Sequence, residues 1–256
     1  MRKIALGIFA HPDDAEILCT GTLSLLKKSG WSVHIATLAT GDKGTAEYDR
    51  EEIISIRNKE AIESADIIDA SYHCLDFEDV YIFYNKEAID KATSLIRMIK
   101  ASIVFTSPPS DYMIDHEMTS LIVQTACFCT GIKNMDIPQP PFGPVPYLYY
   151  CDPVEGVDKF GKPVPPSIYV DISSEMATKT TMLKCHKSQR NWLRSHHKVD
   201  EYIEAMERFA RKRGSDINVG FAEGFIQHLG HGYPELNILK EVLTEFVFTK
   251  PGLEYY

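Results

Sequence analysis

Strand-like and helix-like patterns alternate through the first 106 residues, and that alternation constrains the fold more than any other feature of the chain. Apolar runs at residues 4–9, 33–38, 72–75 and 102–106 are separated by amphipathic segments at 15–28, 50–69 and 87–100. Short apolar runs bounded by breaks read as buried strands, and apolar residues recurring three and four apart read as helices. Four such units in succession predict a parallel sheet with crossover helices. Beyond residue 106 the pattern predicts a helix at 116–130, strands at 147–150 and 167–171, and helices at 174–188 and 199–213. The proline-rich stretch 137–146 is excluded from helix and inner strand because proline lacks a backbone donor. It is expected to be a surface loop walling a cleft, and the tyrosine- and proline-rich segment 138–152 is expected to help shape the substrate cleft or a subunit contact. No linker or internal repeat interrupts the 256 residues, so one domain is expected, a three-layer α/β sandwich with a mostly parallel sheet.

The first strand-like run ends at Ala10-His11-Pro12-Asp13-Asp14. In an open parallel sheet ligands bind at the carboxyl ends of strands, where this turn would lie. Neighbouring residues in a turn point in different directions, so one aspartate can ligate a metal while the other handles protons. The alternative is that Asp13 or Asp14 only caps the following helix. A catalytic zinc site needs three protein ligands and an open position. His11 and Asp14 supply two. His116, after the strand at 102–106, is the natural third, with Asp115 placed to orient it by hydrogen bonding. Imidazole with carboxylate suits Zn²⁺ best, with Fe²⁺, Co²⁺ or Mn²⁺ as alternatives. A second turn, Thr40-Gly41-Asp42-Lys43-Gly44, carries two glycines, which suggests a tight turn or a close backbone approach to a ligand.

Composition narrows the partners. A net charge of −9 argues against nucleic acid and acidic membranes. No apolar run is long enough for a membrane span, and the N-terminus lacks the pattern of a secretion signal. Cys19, Cys74, Cys127, Cys129, Cys151 and Cys185 lack CxxC spacing and are expected to be reduced thiols, so a cytoplasmic location is expected.

Taken in order, these motifs resemble the LmbE-like, or PIG-L-type, family of zinc-dependent N-deacetylases. The resemblance rests on Ala10 to Asp14, the Gly41–Gly44 turn, Arg57 with Glu60, and Asp115-His116. It continues with Lys179, His186, Ser188 and Gln189, and ends at Ala222-Glu223-Gly224-Phe225. It implies a Rossmann-like fold, metal ligands His11, Asp14 and His116, and Asp13 as general base. It also implies substrate contacts from Arg57 and Asp79 and a small N-acetylated sugar, such as an N-acetylglucosaminyl conjugate, as substrate. For Arg57 the alternative is a helix-surface salt bridge with Glu60 or Glu63.

One departure stands out: the family's His-Pro-Asp-His reads Met113-Ile114-Asp115-His116 here. A thioether cannot donate a proton. Tyr112 and His186 are therefore the candidate acids for the leaving amine, His186 having a structural hydrogen bond as its alternative role. Three other readings remain: a metal-containing sugar-binding protein with impaired catalysis, a hydrolase of another amide or an ester, and a nucleotide binder. The last lacks Gly-x-Gly-x-x-Gly after the first strand. Homo-oligomerisation is a further expectation. His196, His197 and His231 have no implied role and are expected at the surface or an interface.

Overall fold

The computed structural model of the chain describes residues 2–197 and 202–250, with the side chains of residues 194–197 outside that description. The expectation for His196 and His197 therefore lies outside the described side chains, while His231 is exposed.

The alternation seen in the sequence becomes β1 (Ile4–Phe9), α1 (Asp14–Leu18), α2 (Thr20–Lys28), β2 (Ser32–Ala39), α3 (Arg50–Asp66), β3 (Ser71–Phe77), α4 (Lys86–Ile99), β4 (Ile103–Thr106) and α5 (Ile114–Phe128). The remainder adds β5 (Tyr147–Cys151), β6 (Ile168–Asp171), α6 (Met176–Leu183), α7 (Lys187–His197), α8 (Tyr202–Asp216), β7 (Ala222–Gln227), α9 (Ile238–Leu243) and β8 (Val247–Thr249). All eight strands join one sheet in the order β3-β2-β1-β4-β5-β7-β6-β8. The first five are parallel, and the last three pair antiparallel.

Successive side chains on a strand face opposite ways, and here each face buries its own core. Ala5 and Phe9 of β1 pack with α2, α6, α8 and α9, while Leu6 and Ile8 pack with α4 and α5. The result is the Rossmann-like three-layer sandwich. From β1 the chain steps to β2 and β3 on one side and reaches β4 and β5 on the other. The carboxyl ends of β1 and β4 thus flank a topological switch point, where a crevice opens.

Three elements differ from expectation. The helix expected over 15–28 breaks at Cys19, whose φ of −148° is not helical. The break is held by Glu223, which accepts the freed Gly21 and Thr22 N–H groups at 2.9 and 2.7 Å. An anion at a helix N-terminus is favourable. The helix expected over 174–188 likewise splits into α6 and α7, with Ser188 N–H and Oγ donating to Glu60 on α3 at 2.9 and 2.6 Å. The proline-rich loop does not wall the crevice. It is drawn to the α4 side by Arg97, which donates to the carbonyls of Gln139, Cys129 and Ile132.

Candidate functional site

His11, Asp14 and His116 converge: one ligand atom from each lies within 4.8 Å of the others, and all three residues are buried. His11 Nδ1 is 3.6 Å from Asp14 Oδ2, and His116 Nε2 is 3.4 Å from Asp14 Oδ1. The opposite ring nitrogen of each histidine meets a carboxylate, Asp115 at 3.0 Å for His11 and Asp111 at 3.1 Å for His116. Asp115 thus orients His11, across 104 residues, rather than its neighbour His116. Carboxylates in this position fix the ring and its tautomer so that the remaining nitrogen can face a cation. Donor separations of this size and a His₂Asp set fit a divalent metal such as zinc.

Asp13 does not cap α1, since its side chain makes no capping hydrogen bond, and Asp14 instead accepts the His11 N–H at 2.8 Å. Asp13 has φ 109°, a strained value for a residue with a side chain, of the kind that clusters at functional sites. The strain turns its carboxylate toward Tyr202, whose hydroxyl donates to Oδ2 at 2.5 Å, and toward Arg57, whose Nη2 is 3.7 Å from Oδ1. Burial raises the Asp13 pKa and Arg57 opposes that rise. Burial would also raise Asp14, yet His116 and His11 hold it well below the carboxylate range. Burial lowers the His11 pKa, but Asp115 and Asp14 outweigh it and push it up to about 10.

Arg57 is 2% exposed and pairs with neither Glu60 nor Glu63; it donates to Pro12 O at 2.6 Å and Gly41 O at 3.3 Å. The glycines of the second turn exist for this side chain. A Cβ on Gly41 would stand 2.5 Å from Arg57 Cδ, and one on Gly44 would stand 2.6 Å from Nη1. Their close approach is thus to Arg57. Asp79 spends both carboxylate oxygens on the same turn, accepting Gly41 N–H at 2.8 Å and Lys43 N–H at 3.1 Å. It still borders the cavity.

The site opens into a cavity of about 590 Å³ bordered by His11, Asp13, Asp14, Arg57 and His116. Tyr112 stands at its mouth, 71% exposed, with its ring 5.4 Å from that of His116, and Met113 lies beside it. His186 does not border the cavity. It is 1% exposed behind Asp13, with Nε2 at 3.2 Å from Glu16 Oε1. Sequence reasoning missed Tyr202, Asp111 and Glu16. Asp111 stood within the segment leading to His116, but no local pattern pointed to Tyr202.

Residues 6–127 match the family model described as GlcNAc-PI de-N-acetylase, PIG-L. Over that stretch the chain is similar to the PIG-L family. It is similar to diacetylchitobiose deacetylase of Thermococcus kodakarensis, 29% identical over 73% of this chain and 70% of the relative. It is also similar to 4-oxalmesaconate hydratase of Pseudomonas putida, 22% identical over 87% of this chain and 88% of that one. Among solved structures, N,N'-diacetylchitobiose deacetylase of Pyrococcus horikoshii superposes with a TM-score of 0.75 at 24% identity, covering 92% of this chain and 88% of that one. The 4-carboxy-2-hydroxymuconate hydratase of Pseudomonas putida gives 0.76 at 21%, covering 92% and 100%. These likenesses carry the PIG-L fold, which hosts more than one reaction. No helix among the described residues is long and apolar enough to cross a membrane.

Proposed function

We propose that this chain is a metal-dependent N-deacetylase that removes the acetyl group from a small N-acetylated sugar. The observation that carries the reading is the Asp13 carboxylate, freed from capping and held beside the His11, Asp14 and His116 set. The family match over residues 6–127 and the deacetylase relative support the same reaction. His11, Asp14 and His116 would hold the ion, zinc by donor type. When bound, such an ion polarises the acyl carbonyl and makes water acidic near neutral pH.

The residues of the chain supply the rest. Asp13 accepts the proton of the attacking water as general base, its carboxylate aimed by the Tyr202 hydroxyl and Arg57. Arg57, buried and fixed by Pro12 O and Gly41 O, adds positive charge where the oxyanion develops. The leaving amine then takes its proton from Asp13, or from Tyr112 at the mouth, which is open to substrate. His186 is screened from the cavity and acts on Asp13 only through its charge. Asp79 positions the Gly41–Lys43 turn and, at most through a remaining lone pair, a sugar hydroxyl.

A zinc-loaded Asp13→Asn variant tests this directly: it should retain the metal and lose nearly all acetate release. Turnover at the wild-type rate in that sample would sink the assignment. A second reading, hydration of an unsaturated carboxylic acid, is raised by the likeness to 4-oxalmesaconate hydratase along most of the chain. In it Asp13 would take a proton from the water and return it to the carbon beside the one that gains the hydroxyl. Loss of the diene absorbance of such acids, without acetate release from any N-acetyl sugar, would select it.

A further inference from the structure

α7 and α8 each turn one face to the cavity, and both faces change character along their length. Gln189 on α7 and Tyr202 on α8 stand at the polar floor. Gln189 Oε1 lies close to Gly44, as does Arg57 Nη1, and the Tyr202 hydroxyl rests on Asp13. Three and four residues onward, α7 presents Trp192 and Leu193 to the cavity, while α8 presents Ala205, Met206 and then Phe209. Residues at these offsets share a helix face. At a rise of about 1.5 Å per residue, Met206 and Phe209 stand ~6 and ~10 Å along α8 from Tyr202. The charged side chains bordering this end, Glu155 and Arg208, are exposed at its rim.

The cavity is therefore longer than its chemistry. With the scissile amide at Asp13, a pyranose ring covers the polar floor, where Gln189 Oε1 is a buried acceptor with no hydrogen-bond partner among the described residues. The remaining length is hydrocarbon and aromatic surface. At about 590 Å³ the space is of a size that takes drug-sized ligands, larger than one N-acetylhexosamine requires. A second sugar here would press most of its hydroxyl groups against Leu193, Ala205, Met206 and Phe209, which offer at best the weak thioether acceptor of Met206, and burying hydroxyls without partners is unfavourable. An apolar group is stabilised by the same burial.

We propose that the substrate joins its N-acetylated sugar to an apolar aglycone, aryl or alkyl, which lies on Trp192, Leu193, Met206 and Phe209. This rests on the deacetylase reading above, and the test separates the two. Acetate release by the zinc-loaded enzyme is compared for N-acetylglucosamine, N,N'-diacetylchitobiose, and the phenyl and octyl β-glycosides of N-acetylglucosamine. The glycosides should exceed both other compounds at least tenfold in kcat/KM, and Phe209→Ala should cut that advantage severalfold. In parallel, NMR-detected titration with phenyl and methyl β-glucosaminide, which have no amide to cleave, reads the wall without turnover. Phenyl should bind at least tenfold more tightly. Tighter phenyl binding without acetate release from any compound keeps the apolar wall and removes the deacetylase reading. Equal affinities, or a preference for the disaccharide, overturn the proposal.

Discussion

Glu223 and Lys179 belong to the motif order that first suggested a deacetylase, yet neither borders the cavity. They are 4% and 1% exposed. The Glu223 carboxylate accepts Gly21 N–H at 2.9 Å, Thr22 N–H at 2.7 Å, Thr22 Oγ at 2.6 Å and Lys179 Nζ at 2.5 Å. These four donors match the roughly four lone-pair sites of a carboxylate. Glu223→Gln replaces one acceptor oxygen by a donor facing donors and removes the counter-charge of the Lys179 ammonium. Breaking a buried pair from one side costs about 3–5 kcal/mol. For a chain of this size each kcal/mol lowers Tm by roughly 2–4 °C, so a fall of about 6–20 °C is expected. Lys179→Met should cost less, because Glu223 keeps three donors and the positive end of α2. Urea unfolding at unchanged m-value, alongside thermal melts, measures both. A Glu223→Gln protein that melts within about 2 °C of wild type would refute the reasoning, the margin being under one kcal/mol. So would a Lys179→Met variant that is the less stable of the two.

Other consequences follow from the same geometry. Asp111→Asn keeps a hydrogen-bond acceptor for His116 Nδ1 but removes the charge behind it, and zinc affinity measured by chelator competition should fall about 10–100-fold. Gly41→Ala puts a Cβ at φ 82° and 2.5 Å from Arg57 Cδ. Strain of about 1–3 kcal/mol should lower Tm, and a displaced Arg57 should lower kcat/KM with it. Burial lowers the His186 pKa, but Glu16 outweighs burial and raises it above the ordinary 6.5. Its stabilising contribution is thus complete below about pH 6.5 and is lost as pH rises through the folded-state value. His186→Gln should flatten that part of the Tm–pH curve, and an unchanged slope would contradict it.

Local periodicity carried most of the first half of the fold. The runs at 4–9, 33–38 and 102–106 became β1, β2 and β4 with edges moved by a residue or so, because apolar spacing and strand length are properties of adjacent residues. It failed where distant groups intervene. The break at Cys19 needs Glu223, more than 200 residues away, to satisfy the freed N–H groups. The start of α7 needs Glu60, 128 residues away. The short elements α9 and β8 depend on packing and pairing at the far edge of the sheet, and neither shows a strong pattern of its own.

The candidate site divides in the same way. His11, Asp13 and Asp14 were legible because one short turn at a strand end holds them all, and His116 because it follows another strand on the same sheet. What the sequence by itself determined is the alternation of elements and the residue types at two strand ends. Only the tertiary structure decided which carboxylate serves which histidine, that Tyr202 aims Asp13 across 189 residues, and that His186 lies behind the cavity. The physical reason is sheet order. β1 sits between β2 and β4, so groups far apart in the chain become neighbours at one edge, and no local pattern encodes that adjacency.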